Sequence, residues 1–180
     1  TPAGTFGASG SMTTSLALAD FNGDGWLDVA AGNYASQNFA YLNTGHGTFS
    51  TAISFGSGAD NATSLAVGDF TGDGKTDIAV SRKNQPCLLC VNNNGTFAIL
   101  SSFGAASSAA TGIASGDIDR DGDLDLVVVR ENQISSVYLN EGTGHFAWAG
   151  SERPFGASVA ARSVACGDVD ADGDLDVAVS

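Results

Sequence analysis

The chain has 180 residues, 43% of them hydrophobic, and a formal net charge of −13. That length suits one domain with a sizeable core, and 15% charged residues is low for a disordered chain. The negative balance argues against a nucleic-acid partner, and no apolar run approaches the roughly 18 residues of a membrane span. The N-terminal Thr-Pro-Ala-Gly-Thr-Phe has no signal-peptide pattern, so any export signal is expected to have been removed or to lie outside this sequence.

Taken in chain order, Ser15-Leu-Ala-Leu18 alternates and predicts a strand. It runs into an acidic stretch, Asp20-Phe-Asn-Gly-Asp-Gly-Trp-Leu-Asp28, and a second strand leaves from Leu27 to Ala31. A third strand ends at Tyr41-Leu-Asn43, and Thr-Gly-His-Gly supplies the positive φ of a tight turn. A fourth strand starts at Phe49 and runs toward Phe55-Gly56. The same series then recurs through Ser64 to Val67, Asp69 to Asp77, Thr76 to Ser81 and Cys90-Val-Asn92. It recurs again through Gly112 to Ser115, Asp117 to Asp125, Leu124 to Arg130 and Tyr138-Leu-Asn140, and a last time through Ser163 to Cys166, Asp168 to Asp176 and Leu175 to Ser180. The first aspartates are spaced by 49, 48 and 51 residues, and Phe-Gly precedes each loop at Phe6, Phe55, Phe103 and Phe155. Repeats of this length predict a propeller or a solenoid. Four antiparallel strands per repeat predict an all-β chain of propeller blades, a single region over 1–180 with repeats at about 6–54, 55–102, 103–154 and 155–180.

The acidic stretches share the frame D-x-(D/N/T)-x-D-G-x-x-D and hold 16 of the 20 acidic residues. So many carboxylates in a short loop raise one another's pKa unless a cation sits among them. Oxygen-only donors around a sharp turn point to calcium, up to four ions, one per loop. The expected ligands are Asp20, Asp69, Asp117 and Asp168 at position 1 and Asn22, Thr71, Asp119 and Asp170 at position 3. Asp24, Asp73, Asp121 and Asp172 follow at position 5, and Asp28, Asp77, Asp125 and Asp176 at position 9. Trp26, Lys75, Asp123 and Asp174 at position 7 have nothing in common as side chains, which suits ligation through the carbonyl. Glycine at position 6 permits the turn. An EF-hand is excluded, because position 12 is Ala31, Val80, Val128 or Val179 rather than glutamate, and β-branched residues follow the loop. Four divalent ions would bring the formal charge to about −5.

The remaining reactive residues have plainer readings. Cys87 and Cys90 fall in a strand, where i and i+3 face opposite ways about 10 Å apart, so a disulfide or zinc pair is not expected. Cys166 is expected to be a small core residue. His46 and His145 flank hairpin turns without a nucleophile motif, which predicts solvated histidines and no enzyme. Trp26 is expected to be exposed in its loop, where it could stack on a sugar ring, and Trp148 to pack within a blade.

The Phe-Gly, D-x-D-x-D-G-x-x-D and Tyr-Leu-Asn-x-Gly-x-Gly-x-Phe series resembles FG-GAP/VCBS repeats, those of the integrin α-subunit propeller and of many secreted bacterial proteins. The resemblance covers essentially the whole chain. It implies calcium between the first two strands of each blade, and a ring usually of seven blades. The five loop positions named above match the family's ligands, with Asn22 and Thr71 leaving two sites less charged. The chain opens on a fourth-strand-like Gly4-Thr-Phe6 and stops after the second strand of repeat four. It is therefore expected to be part of a ring completed by further blades or a second copy, with a compact four-bladed propeller as the structural alternative. The implied role is a non-catalytic, secreted or cell-surface module for adhesion, scaffolding or assembly, with a protein or glycan partner. The alternative is a carbohydrate-binding or accessory module of a secreted polysaccharide-acting enzyme.

Overall fold

The computed structural model describes residues 7, 10–146 and 151–180. Phe6, the expected strand at Gly4 to Phe6, and Trp148 lie outside the described residues. Within them the chain is all-β, with eleven strands and no helix: β1 (Met12–Ala19), β2 (Asp28–Asn43), β3 (Phe49–Gly68), β4 (Asp77–Arg82), β5 (Cys87–Asn93), β6 (Thr96–Phe103), β7 (Ala110–Gly116), β8 (Asp125–Tyr138), β9 (Glu152–Ala160), β10 (Val164–Gly167) and β11 (Asp176–Val179). All strand pairings are antiparallel, in the orders β1-β2-β3-β4-β5-β6, β7-β8-β9 and β10-β11.

β2 and β8 are longer than the sequence pattern predicts because each contains two passes. A straight strand would hold Asp28 and Asn43 about 50 Å apart, yet the Asn43 N–H donates to Asp28 Oδ1 at 2.8 Å. β2 turns back at Ala35, whose φ is 55°, and the Asn38 side chain accepts the Asn33 N–H at 2.7 Å across the turn. β8 does the same at Asn132, φ 55°, bringing the Asn140 N–H to Asp125 Oδ1 at 2.8 Å. β3 instead changes partner: Phe49 to Asn61 pair with β2, interrupted at the left-handed Gly56 and Gly58, and Ala62 to Gly68 pair with β4. A Cβ on Gly56 would sit 2.1 Å from Asp60 Oδ2, so the glycine of that Phe-Gly pair makes room for a buried carboxylate.

Successive repeats meet through their first strands. Thr14 donates to the Ala62 carbonyl at 2.7 Å, Ser15 accepts the Leu65 N–H at 3.1 Å, and Thr111 donates to the Ala161 carbonyl at 2.8 Å. These partners lie 48 to 50 residues apart, one repeat. The sheets thus face each other, with a core in each gap. Phe21, Phe55, Leu65, Ile78, Val80, Leu88 and Cys90 fill the first. Phe70, Leu89, Phe103, Ile113, Leu126, Val128, Tyr138 and Phe146 fill the second, with Cys87. Cys87 and Cys90 point into different cores, as strand alternation demands, and both are free thiols. β4 is buried along its whole length because both of its faces are covered, Ile78 and Val80 on one side and Ala79 on the other.

Candidate metal centres

Each acidic loop joins the first and second strands of a repeat and has one internal wiring. The position-9 aspartate opens the second strand, and its Oδ2 accepts the N–H of position 2. These bonds are Phe21 to Asp28 at 2.9 Å, Phe70 to Asp77 at 3.1 Å, Ile118 to Asp125 at 2.8 Å and Val169 to Asp176 at 3.0 Å. Position 1 accepts the N–H of the position-6 glycine in all four loops, at 2.7 Å in Asp20 and Asp69, 3.1 Å in Asp117 and 3.0 Å in Asp168. Position 5 accepts the N–H of position 7, at 2.8 to 3.0 Å. Glycine at position 6 has positive φ throughout, as the sharp turn requires. Position 4 is left-handed too, and there Arg120 and Ala171 replace the Gly23 and Gly72 of the first two loops.

The loops divide at position 3. In the third and fourth, Asp117, Asp119 and Asp125, and likewise Asp168, Asp170 and Asp176, each bring one carboxylate oxygen within 4.8 Å of the others. Ionised carboxylates only accept hydrogen bonds, so three converging oxygens form a donor set that suits a cation. Asp117 Oδ1 is buried without a hydrogen-bond partner. A hard, oxygen-seeking divalent ion fits these donors, and no histidine or cysteine stands among them to favour zinc. In the first two loops position 3 can donate, and does: Asn22 Nδ2 to Asp24 Oδ2 at 2.9 Å, Thr71 Oγ1 to Asp77 Oδ2 at 3.3 Å. Their donor sets are Asp20, Asp24 and Asp28 with Asn22, and Asp69, Asp73 and Asp77 with Thr71.

Positions 5 and 7 stand outside the two carboxylate trios. Asp121 and Asp172 are turned onto the N–H groups of Asp123 and Asp174. At position 7, Lys75 pairs with Asp73 at 3.2 Å, Asp174 pairs with Arg120 of the neighbouring loop, and the exposed Trp26 lies against Gly45. Burial pushes the carboxyls of Asp28, Asp77 and Asp125 above the usual range, against the N–H groups they accept and with the other loop carboxylates adding to the rise. At Asp20 burial also acts upward, but the N–H groups of Gly25, Gly23 and Asp24 outweigh it and hold the group low.

A sequence model of FG-GAP-like repeats matches three times, at residues 20–80, 72–128 and 117–179. The chain belongs to the FG-GAP-like repeat family. Each match runs from one aspartate loop into the next. No curated protein matches the chain. Among the described residues, no helix is long and apolar enough to cross a membrane.

Two features of these FG-GAP repeats escape a reading of the loops alone. The asparagine of each Tyr-Leu-Asn or Cys-Val-Asn landmark is more than a turn residue. The N–H groups of Asn43, Asn92 and Asn140 each donate at 2.8 Å to the second oxygen of the position-9 aspartate. Their amides donate to the position-8 carbonyls of Leu27, Thr76 and Leu124. The available signal is spacing: each asparagine follows its aspartate by 15 residues. The second feature is a pair of arginines at matching places, Arg82 and Arg130, buried at the end of the strand that leaves the loop. Arg82 meets the buried Asp60 at 2.7 Å. Arg130 meets Glu152, Ser136, Ser108 and the Tyr138 hydroxyl. A charge ending an apolar strand in both repeats was the visible sign.

Proposed function

We propose that the chain is a calcium-stabilised, non-catalytic β-propeller segment that works outside the cell, presenting its connecting loops for adhesion, scaffolding or assembly. The observation that carries this is the convergence of three carboxylates in the third and fourth loops, with Asp117 Oδ1 left unpartnered. Asp117, Asp119 and Asp125 would hold one ion, and Asp168, Asp170 and Asp176 another. The other loop positions and the first two loops serve with fewer charges. Calcium supplies the positive charge that lets these oxygens approach. By mass action an ion present at a hundred times its Kd stabilises the fold by about 2.7 kcal/mol per site. The metal role already accounts for the paired carboxylates, and His46 and His145 are exposed on their hairpins, which supports the non-enzymatic reading.

Placement of successive first strands side by side supports a propeller built of these repeats, in a seven-bladed ring completed by further blades or a second copy, or in a compact four-bladed one. Mass in solution separates these. The central experiment is thermal unfolding with calcium and with chelator. Calcium is expected to raise the melting temperature, and substitution of Asp119 or Asp170 by alanine to reduce the rise. An identical melting temperature in calcium and in chelator overturns the reading.

A second reading, a carbohydrate-binding accessory module, has one observation in its favour. A polar cavity of about 190 Å³ opens between the first two loops, lined by Asp20, Asn22, Lys75, Asn92 and Asn94, and the exposed Trp26 belongs to the first of those loops. Glycan-array binding that is lost in Trp26→Ala would favour it over protein-mediated adhesion.

A further inference from the structure

We infer that the first three loops are coupled metal sites, linked by Asn92 and Asn140, so that ion binding in one raises the affinity of the next. The inference rests on the calcium reading above. It comes from a single run of hydrogen bonds. Asp28 accepts the Phe21 N–H, and the carbonyl of Phe21 accepts Asn92 Nδ2 at 2.7 Å. The Asn92 N–H donates to Asp77, which accepts the Phe70 N–H through its other oxygen. The Phe70 carbonyl in turn accepts Asn140 Nδ2 at 2.9 Å, and the Asn140 N–H donates to Asp125. The run ends at the Ile118 N–H on Asp125 Oδ2. Two of its bonds, at separations of 71 and 70 residues, cross from one repeat to the next.

Nothing along this run is slack. Asn92 and Asn140 are buried, and each spends both amide hydrogens, one on its own loop through Thr76 or Leu124 and one on the loop before. Their Oδ1 atoms accept the N–H groups of Gly95 and Gly144, which ties the hairpin to the same point. Phe21 and Phe70 immediately follow the position-1 aspartates, Asp20 and Asp69. Fixing position 1 therefore fixes a peptide whose carbonyl orients the next asparagine, and that asparagine orients the next position-9 carboxylate. Hydrogen bonds in series polarise one another in a low-dielectric interior, and coupling between two sites is reciprocal. Asn43 is the built-in control. Among the described residues it makes only the local bonds, to Asp28, Leu27 and the glycines Gly45 and Gly47.

The test is a calcium titration of the 180-residue chain followed by NMR, with the amide signals of Gly25, Gly74, Gly122 and Gly173 reporting each loop separately. Asp20→Ala, which disables the first loop, is expected to weaken calcium binding at the second about fivefold, the lower end of typical coupling. In the Asn92→Ala background the same change should leave the second loop unaltered, whereas in the Asn43→Ala background it should still weaken it. Coupling is overturned if Asp20→Ala leaves the second loop's affinity unchanged in the otherwise native chain, a result that stands even if Asn92→Ala fails to fold. It is equally overturned if Asn92→Ala and Asn43→Ala behave alike. No calcium-dependent shift at any of the four glycines sinks the calcium reading itself, and the coupling with it. Sites that bind but bind independently sink the coupling alone.

Discussion

The second position of the loop reads alike in every repeat, an apolar residue after the first aspartate, yet the structure treats its copies in opposite ways. Phe70, between the second and third repeats, is 0% exposed, and Val169, in the fourth, is 78% exposed. The first strands behave the same way at the other end: Leu65 is 8% exposed and its counterpart Leu16 is 60% exposed. Burial here belongs to the neighbour and not to the residue. A repeat of this kind cannot cover its own face, and each sheet is finished by the next.

The strongest way to break this comparison is truncation on both sides of it. Phe70→Ala is expected to cost about 3–5 kcal/mol, the range for emptying a well-packed aromatic site, while Val169→Ala in the isolated 180-residue chain stays within about 0.5 kcal/mol, as for an exposed position. Urea unfolding of the two variants measures this, and equal losses would mean that the fourth repeat is covered after all. The second contrast is ionic. Asp60→Ala strands the buried Arg82 guanidinium and is expected to cost about 3–5 kcal/mol. Breaking the exposed Arg120–Asp174 pair with Arg120→Ala should cost no more than about 1 kcal/mol. A small loss for Asp60→Ala would place water at that end of the sheet.

The smallest effect sharpens the comparison without altering stability. Burial pushes the Cys87 thiol up to about 11 and the Cys90 thiol up to about 12, while burial also raises the half-buried Cys166. Because the thiolate is the nucleophile and its fraction falls as the pKa rises above ambient pH, the inner pair stays protonated at pH 8. Iodoacetamide at that pH should label Cys166 in the folded chain and reach Cys87 and Cys90 only on unfolding. Mass spectrometry after native and denatured labelling reads the difference directly, and native labelling of Cys87 or Cys90 would show that the inner gaps open.

Much of the candidate site was legible in the sequence because its bonds are short-range. The contacts from position 1 to the position-6 N–H and from position 9 to the position-2 N–H close within nine residues, and the glycine at position 6 announces the turn. The doubling back of β2 was foreseen as the break between the second strand and the third, but not its place, since its left-handed residue is Ala35, a type that gives no turn signal. What holds the bend is the Asn38 side chain on the Asn33 N–H and on Asp60, and Asp60 is 22 residues away. The place of Arg82 and Arg130 at the end of an apolar strand was visible, but their partners were not, because an arginine in a sequence does not name its carboxylate.

By itself, then, the sequence determined the period, the strand-loop-strand unit and the shape of each acidic loop, all of which follow from backbone chirality and from side chains bonding to amides a few residues away. Tertiary structure alone decided which apolar faces are covered and which asparagines reach from one repeat to another. Those outcomes depend on contacts 48 to 71 residues apart. Such contacts exist only once neighbouring sheets have packed, because an unpacked repeat leaves both the apolar face and the amide facing water, with nothing to choose between partners.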